Sequence, residues 1–266
     1  NDDQKKALLE LDKNSNKFKV SVLLGVTGSG KTLVYFERIK KIIEQNKQAL
    51  IMIPEIFLTG QFKKRFELFF GYEPAIWHSK ITPKKKKIIW NSICKNEIKI
   101  VIGARSSLFL PFKNLGLIVV DEEHDMSYKQ EEGVIYNARD MAISRASFEN
   151  IPIHLITSIP SVETYNNILK KKYKKILIKK RYDSFPLPKT KIINLSLDKL
   201  NKSSISKESL EIVKEYLDNN EQVLFFVNRR GYAPFLICKL CGYRNICPNC
   251  SIYLTFHKIL KKSICH

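Results

Sequence analysis

The chain has 266 residues, 44% of them hydrophobic, enough to bury a sizeable core and to build more than one domain. It contains no run of 18 apolar residues, so no transmembrane helix is expected and no membrane partner is implied. A formal net charge of +20 argues for an anionic partner, most commonly nucleic acid, although the abundance of Lys, Ile and Asn throughout also suggests a compositional bias. The opening residues Asn1-Asp2-Asp3 lack the charged-then-apolar pattern of a signal peptide. Because the first residue is not Met, the sequence reads as a processed chain or a fragment.

In chain order, Asn1 to Leu11 predicts a short helix, capped by Asp2 or Asp3, with Ala7, Leu8 and Leu11 on its apolar face. Gln4 lies upstream of a glycine-rich loop, where its amide could read the edge of an adenine. Lys19 to Leu24 predicts a buried strand and Leu33 to Ile43 a helix. Between them Gly25-Val26-Thr27-Gly28-Ser29-Gly30-Lys31-Thr32 fits G-x-x-x-x-G-K-[ST]. Strand, glycine loop and helix together form a phosphate cradle of backbone N–H groups at a helix N-terminus. In such a cradle Lys31 would reach the β- and γ-phosphates, and the Thr32 hydroxyl would hold Mg²⁺.

Ala49 to Ile53 predicts the next strand, Leu58 to Phe70 a helix, and Ala75 to His78 a short strand. Thr82 is expected to cap a basic helix, with Pro83 in its first turn and Lys84 to Lys87 behind it. Ile98 to Ile102 and Leu115 to Val120 predict two further strands, the second ending in Asp121-Glu122-Glu123-His124. This alternation indicates a parallel sheet with helices on both faces, and acids at a strand's C-terminal end share the edge of the sheet with the phosphate loop. Asp121 would hold Mg²⁺ directly or through water, and Glu122 would orient or deprotonate the attacking water.

Ile153 to Thr157 and Val162 to Leu169 predict one more strand and helix. The basic run from Lys170 to Lys175, continuing at Lys179-Lys180-Arg181, reads as a solvated face. The expected organisation is an ATP-binding lobe over 1–180, a linker over 181–203, the start of a second lobe over 204–237 and a partial metal module over 238–266. In the second lobe Ser206 to Asn219 predicts a helix and Gln222 to Val227 a buried strand. Of the six cysteines, Cys94 reads as a core residue, while Cys238, Cys241, Cys247, Cys250 and Cys265 crowd together with two C-x-x-C pairs. This spacing suggests zinc in a reducing compartment, as one complete site with a remainder or as two incomplete sites. His257 and His266 are further possible ligands. The chain stops one residue after Cys265, so the zinc region is expected to be truncated.

The segments GVTGSGKT (25–32), IPEIFLTGQ (53–61), HSKIT (78–82), IGARSSLFLPF (102–112), DEEHDMSYKQEEGVIYNARDMAISRA (121–146) and NRRGYAPFLICKLCG (228–242) resemble the PriA family of primosomal replication-restart helicases, within superfamily 2. The resemblance implies an ATP-dependent 3′-to-5′ DNA helicase of the cytoplasm, associated with the nucleoid. It would recognise stalled or collapsed forks, bind single-stranded and forked DNA, help reload the replicative helicase, and meet other primosome proteins and single-stranded-DNA-binding protein. It implies a RecA-like α/β P-loop lobe followed by the start of a second, which carries the zinc knuckles.

On this reading Lys31, Asp121 and Glu122 are the catalytic candidates, with His124 completing the acidic box and Gln4 at the adenine. Arg105 and Ser106 would lie along the DNA path, and Tyr128, Lys129 and Gln130 would couple DNA contact to the ATP site. Two zinc sites are implied, both incomplete here: Cys247 and Cys250 with Cys265, and Cys238 with Cys241. Where the family has Ser-Ala-Thr, this chain has Thr157-Ser158-Ile159, and Lys80 replaces a usual glycine. The family's arginine motif in the second lobe is absent from this sequence, so slow ATP turnover is expected. The alternative reading is a catalytically weak nucleotide- and nucleic-acid-binding remnant. A restriction-type translocase would share the phosphate loop and acidic box but not the cysteine knuckles.

Overall fold

The computed structural model describes residues 1–13, 17–131, 133–181, 188–193, 205–226, 236–238, 240–248, 253–257 and 261–265. The chain divides into two compact units, Asn1–Leu187 and Pro188–His266. The first is built on a seven-stranded, wholly parallel sheet. Its strands are β1 (Lys19–Gly25), β2 (Gln48–Met52), β3 (Ala75–Trp77), β4 (Ile100–Gly103), β5 (Leu115–Asp121), β8 (Pro152–Thr157) and β9 (Lys174–Ile178). They lie in the order β3-β4-β2-β5-β8-β1-β9. A two-residue hairpin, β6 (Lys129–Gln130) and β7 (Tyr136–Asn137), stands outside the sheet.

The central strands are apolar almost throughout because both of their faces are covered. Successive side chains point to opposite faces, so Leu23 joins one cluster and Val22 and Leu24 the other. Helices α1 (Asp2–Asp12), α2 (Lys31–Glu44) and α3 (Gly60–Phe70) cover the Leu23 side, where Tyr35, Phe36, Ile39 and Phe66 are fully buried. Helices α4 (Pro83–Cys94), α5 (Ala138–Phe148) and α6 (Val162–Leu169) supply Ile89, Ile93, Ala138, Ala142, Ala146 and Ile168 to the other face. The split follows from right-handed crossovers. The steps β1→β2 and β2→β3 run one way along the sheet, while β3→β4 and β5→β8 run the other, which puts their helices on opposite faces.

Several expectations are corrected. The cap of α1 is Asn1, not Asp2 or Asp3: its Oδ1 accepts from Gln4 N–H at 3.0 Å while Gln4 Oε1 accepts from the N-terminal amine at 2.7 Å. Both aspartates sit inside the first turn, where their charge favours the positive helix end. Helix α3 starts only after Thr59, whose hydroxyl accepts from Phe62 N–H, because Glu55–Phe57 forms its own 3-10 turn. Cys94 is exposed, since the buried stripe of α4 runs through Ile89 and Ile93. The basic run hides edge strand β9, in which Ile176 and Ile178 are buried while Lys175 and Leu177 face solvent. An edge strand tolerates such lysines, which also guard it against pairing with other chains.

In the second unit α7 (Lys207–Asp218) forms as expected, capped by Ser206. Gln222 to Phe226 is not a buried strand: no described strand pairs with it, and Leu224 and Phe226 are exposed. An apolar run becomes a strand only where neighbours take up its backbone groups. Val227 and the Asn228-Arg229-Arg230-Gly231-Tyr232 segment lie outside the described residues. Antiparallel bridges Ile237–Arg244 and Ile246–Tyr253, with the hairpin β10 (Thr255–His257) and β11 (Lys262–Ile264), frame the cysteines. No described helix is long and apolar enough to cross a membrane.

Candidate active site

The glycine loop leaves the C-terminal end of β1 and turns into α2. Gly28 and Gly30 carry it with φ of 81° and 78°, the left-handed region that favours glycine. Gly30 has a second constraint: a Cβ there would fall 2.2 Å from Gln4 Nε2. No side chain caps α2, so its first-turn N–H groups are left to face an anion.

Lys31 Nζ donates to Gly25 O at 2.7 Å, and partial burial lowers its pKa despite the nearby carboxylates of Glu122 and Asp121. Gln4 bridges α1 to the loop by donating from Nε2 to Ser29 O at 3.0 Å.

Two strands away, β5 delivers Asp121 to the same edge of the sheet. Its Oδ2 accepts from Tyr35 Oη–H at 2.9 Å and its Oδ1 from Glu122 N–H at 3.0 Å. Each carboxylate oxygen keeps further acceptor capacity. Burial, reinforced by the Glu122 charge, pushes the carboxyl of Asp121 up to about 6. Burial and Asp121 likewise push the Tyr35 phenol upward, so it remains a donor. Glu122 has a φ of 48°, uncommon for a side-chain-bearing residue, and this turn sends the chain away from the sheet.

Around these groups lies a cleft of about 600 Å³ lined by Thr27, Gly28, Gly30, Lys31, Thr32, Asp121 and Glu122, together with side chains of α3. That volume suits a nucleotide-sized ligand. The residues fit a magnesium nucleotide. Ser29 Oγ is buried in the loop without a hydrogen-bond partner among the described residues. The Thr32 hydroxyl and the Asp121 carboxylate are hard oxygen donors on one wall. Among the described residues no group of three or more Asp, Glu, His or Cys side chains is placed to hold a metal ion by itself; Mg²⁺ takes one or two protein oxygens and completes its shell with water and phosphate.

The third acid of the box does different work. Glu123 is 1% exposed and accepts from Ser161 N–H (2.8 Å), Ser161 Oγ (3.1 Å) and Thr164 Oγ1 (2.8 Å), while Arg139 Nη1 donates to it at 3.2 Å. It pins α5 and the start of α6 to the end of β5. His124 Nδ1 lies 2.8 Å from Thr157 Oγ1 and 3.7 Å from Glu122 Oε2. The Thr157 hydroxyl in turn donates to Ile159 O at 2.7 Å and accepts from Ile159 N–H at 3.2 Å. Ile159 joins this relay through its backbone, with its side chain 72% exposed.

Arg105 Nη1 donates to Lys129 O at 2.9 Å, tying the 3-10 turn at Arg105–Phe109 to the loop after the box. Tyr128 is buried and offers no open ring face. Its hydroxyl is shared between Met52 O at 2.9 Å and Asp121 O at 2.6 Å.

The second unit holds the cysteine knuckles. Cys238 N–H donates to Tyr243 O at 2.8 Å and Gly242 N–H to Cys238 O at 2.9 Å, closing a tight turn around Cys238 and Cys241. The backbone N–H groups of Cys241 and Leu240 lower the Cys238 thiol pKa. Cys247 is buried, Cys265 is exposed, and Cys250 and His266 lie outside the described residues.

The structure thus brings Gln4, the loop Gly25–Thr32, Asp121, Glu122 and His124 together at one sheet edge. Sequence reasoning missed Tyr35, Thr157, the anchoring role of Glu123, and Arg65 on α3, which lines the cleft. Tyr35 lies three residues beyond Thr32 on the first turns of α2, a spacing that could have flagged it.

Residues 1–165 match the DEAD/DEAH box helicase family. The chain belongs to that family. ATP and Mg²⁺ are the cofactors that membership implies. Among curated proteins, the replication restart protein PriA of Rickettsia felis is 49% identical over 266 residues, covering 100% of this chain and 41% of that protein. PriA of Bacillus subtilis is 39% identical over 255 residues, covering 95% of this chain and 32% of that protein. PriA of Haemophilus influenzae is 40% identical over 249 residues, covering 94% and 34%. The chain therefore spans about two fifths or less of these relatives. Among solved structures, the DUF1998 helicase MrfA bound to DNA and AMPPNP superposes with a TM-score of 0.55 at 19% identity, over 86% of this chain and 34% of that one. RecG bound to a three-way DNA junction gives 0.51 at 22% identity, over 67% of this chain and 24% of that one. These likenesses show the helicase-lobe fold.

Proposed function

We propose that this chain is the ATP-binding part of a replication-restart DNA helicase. The observation that carries the proposal is alignment along the whole chain to curated replication restart proteins, together with a phosphate loop and acidic box assembled at one edge of the sheet. Lys31 and the loop N–H groups bind and orient the triphosphate, while Thr32 and Asp121 hold Mg²⁺. That ion supplies charge neutralisation between the phosphate oxygens. Glu122 holds the attacking water or takes its proton, and Gln4 turns its amide to the adenine. His124 and Thr157 relay the state of the site to the backbone at Ile159.

The parent helicase moves 3′ to 5′ along single-stranded DNA at stalled forks. Arg105 and Ser106 lie beside the strand, and Lys129 and Gln130 lie on the loop that joins them to Asp121. Zinc binds the knuckles carrying Cys238, Cys241, Cys247, Cys250 and Cys265. Other primosome proteins and single-stranded-DNA-binding protein are the partners, in the cytoplasm at the nucleoid. The test is DNA-stimulated ATP hydrolysis by the chain extended to the length of its relatives, with and without Lys31→Ala. Stimulated hydrolysis lost in that variant supports the reading, and hydrolysis that survives in it overturns the site.

A further inference from the structure

The nucleotide cleft has a neighbour of about 190 Å³, lined by Ile53, Pro54, Phe57, Thr59, Gln61 and Phe62. The two clefts share four lining residues: Thr32, Asp121, Glu122 and Arg65. Three of these are the groups assigned to Mg²⁺ and to the attacking water, so the shared wall marks where a terminal phosphate would sit. The fourth is an arginine from α3, outside the loop and the acidic box. Among the described residues the Arg65 side chain makes no hydrogen bond and no ion pair, although it lines the same wall as two carboxylates. Lys31, the other cation lining the larger cleft, is held on the carbonyl of Gly25.

The helix that carries Arg65 is fixed relative to the phosphate loop. Phe36 of α2 meets Phe62, Phe66, Phe69 and Phe70 of α3 at ring-centroid separations of 6.0, 5.7, 5.4 and 5.2 Å. Phe36 and Phe66 are fully buried, and edge-on and tilted ring contacts of this kind set the relative position of two helices. Arg65 lies on the flank of this seam, six residues after the Thr59 cap. A planar guanidinium with five donors is the side chain best matched to phosphate oxygens.

We propose that Arg65 is a ligand of the terminal phosphate of the bound nucleotide, supplied by the same lobe as the phosphate loop. The inference rests on the nucleotide-binding reading above. It makes the lobe sensitive to the difference between triphosphate and diphosphate without a group from elsewhere.

The experiment is calorimetric titration of the chain with Mg²⁺–AMPPNP and with Mg²⁺–ADP, for the wild type, Arg65→Gln and Arg65→Lys. The expected result is a loss of about tenfold to a hundredfold in AMPPNP affinity for Arg65→Gln, with ADP affinity unchanged and a partial loss for Arg65→Lys. Unchanged ADP affinity also shows that the variant is folded. Equal losses for both nucleotides, or no loss for either, overturn the role of Arg65 while leaving the nucleotide site intact. A wild type that binds neither nucleotide overturns the site and the proposal together.

Discussion

Replacing Asp121 by Asn should stabilise the chain while removing its magnesium-dependent nucleotide binding. Burial beside Glu122 raises the Asp121 carboxyl from 3.8 to about 6, so keeping it ionised in the folded state costs roughly 3 kcal/mol at neutral pH. An asparagine carries no charge to desolvate. Its single carbonyl can accept from Tyr35 or from Glu122 N–H but not from both in the present geometry, a loss of roughly 1 kcal/mol. The net gain is roughly 2 kcal/mol, or about 4–8 °C in Tm for a unit of this size. The pH dependence has a definite sign. A carboxyl whose folded pKa is raised adds stability below its unfolded value and loses it as pH rises through the folded value. The advantage of Asn should therefore be absent near pH 3.8, grow up to about pH 6, and stay constant above it. Both tryptophans, Trp77 and Trp90, lie in the first unit, so fluorescence-detected thermal unfolding at pH 4 and pH 7.5 reports on the right structure. A variant that is less stable at pH 7.5, or equally stabilised at both pH values, would refute the reasoning.

Glu123→Ala should destabilise the first unit by roughly 1–3 kcal/mol, because it removes one of the two carboxylates bonded to the buried Arg139, leaving Asp140, and an acceptor for Ser161 and Thr164; the shift in urea midpoint measures it. Thr157→Val should cost about 1 kcal/mol by removing the hydroxyl between His124 and Ile159, whereas Ile159→Thr, at an exposed side chain, should stay within about 0.5 kcal/mol. Iodoacetamide at pH 7.5 should alkylate the exposed Cys238, whose thiol pKa is lowered, before the buried Cys247. Added zinc should slow the reaction at Cys238, as mass spectrometry of tryptic peptides can follow.

The phosphate loop, the acidic box and most of the strands were legible because their signals are local. Glycines at fixed offsets, an apolar run of strand length, and Ser or Thr before a helix each act within a few residues. What sequence did not show depends on distant neighbours. The lysine-rich stretch at Lys174 became a strand because β1 offered a free edge, with Val22 opposite Lys175 in the ladder. Gln222 to Phe226, more apolar and more strand-like in composition, has no described partner and remains irregular. Tyr128, expected to couple DNA contact to the ATP site, is a buried strut whose hydroxyl reaches the carbonyls of Met52 and Asp121. Arg65 is one cation among the 46 Lys and Arg residues of the chain, and nothing local distinguishes it. Only the packing of α3 on Phe36 gives it a place in the wall of the cleft.

The three consecutive acids of the box show how backbone geometry turns one sequence pattern into three functions. Asp121 is still in the extended conformation of β5, so its carboxylate meets Tyr35 and the Thr32 wall of the cleft. Glu122 takes a positive φ, so the chain breaks from the ladder there while Glu122 itself still lines the cleft. Glu123 N–H then donates to Ile156 O at 3.1 Å, which returns the chain to β8 and turns the third carboxylate inward onto Arg139 and Ser161. A β-branched residue at position 122 would resist the left-handed turn. An apolar residue at 123 would leave the Arg139 guanidinium with Asp140 as its close carboxylate and strip Ser161 and Thr164 of their acceptor. The box therefore carries a structural requirement as strict as its chemical one. On the proposed reading two of its acids address the nucleotide, while the third holds α5 and the β8–α6 turn beside the His124–Thr157 contact.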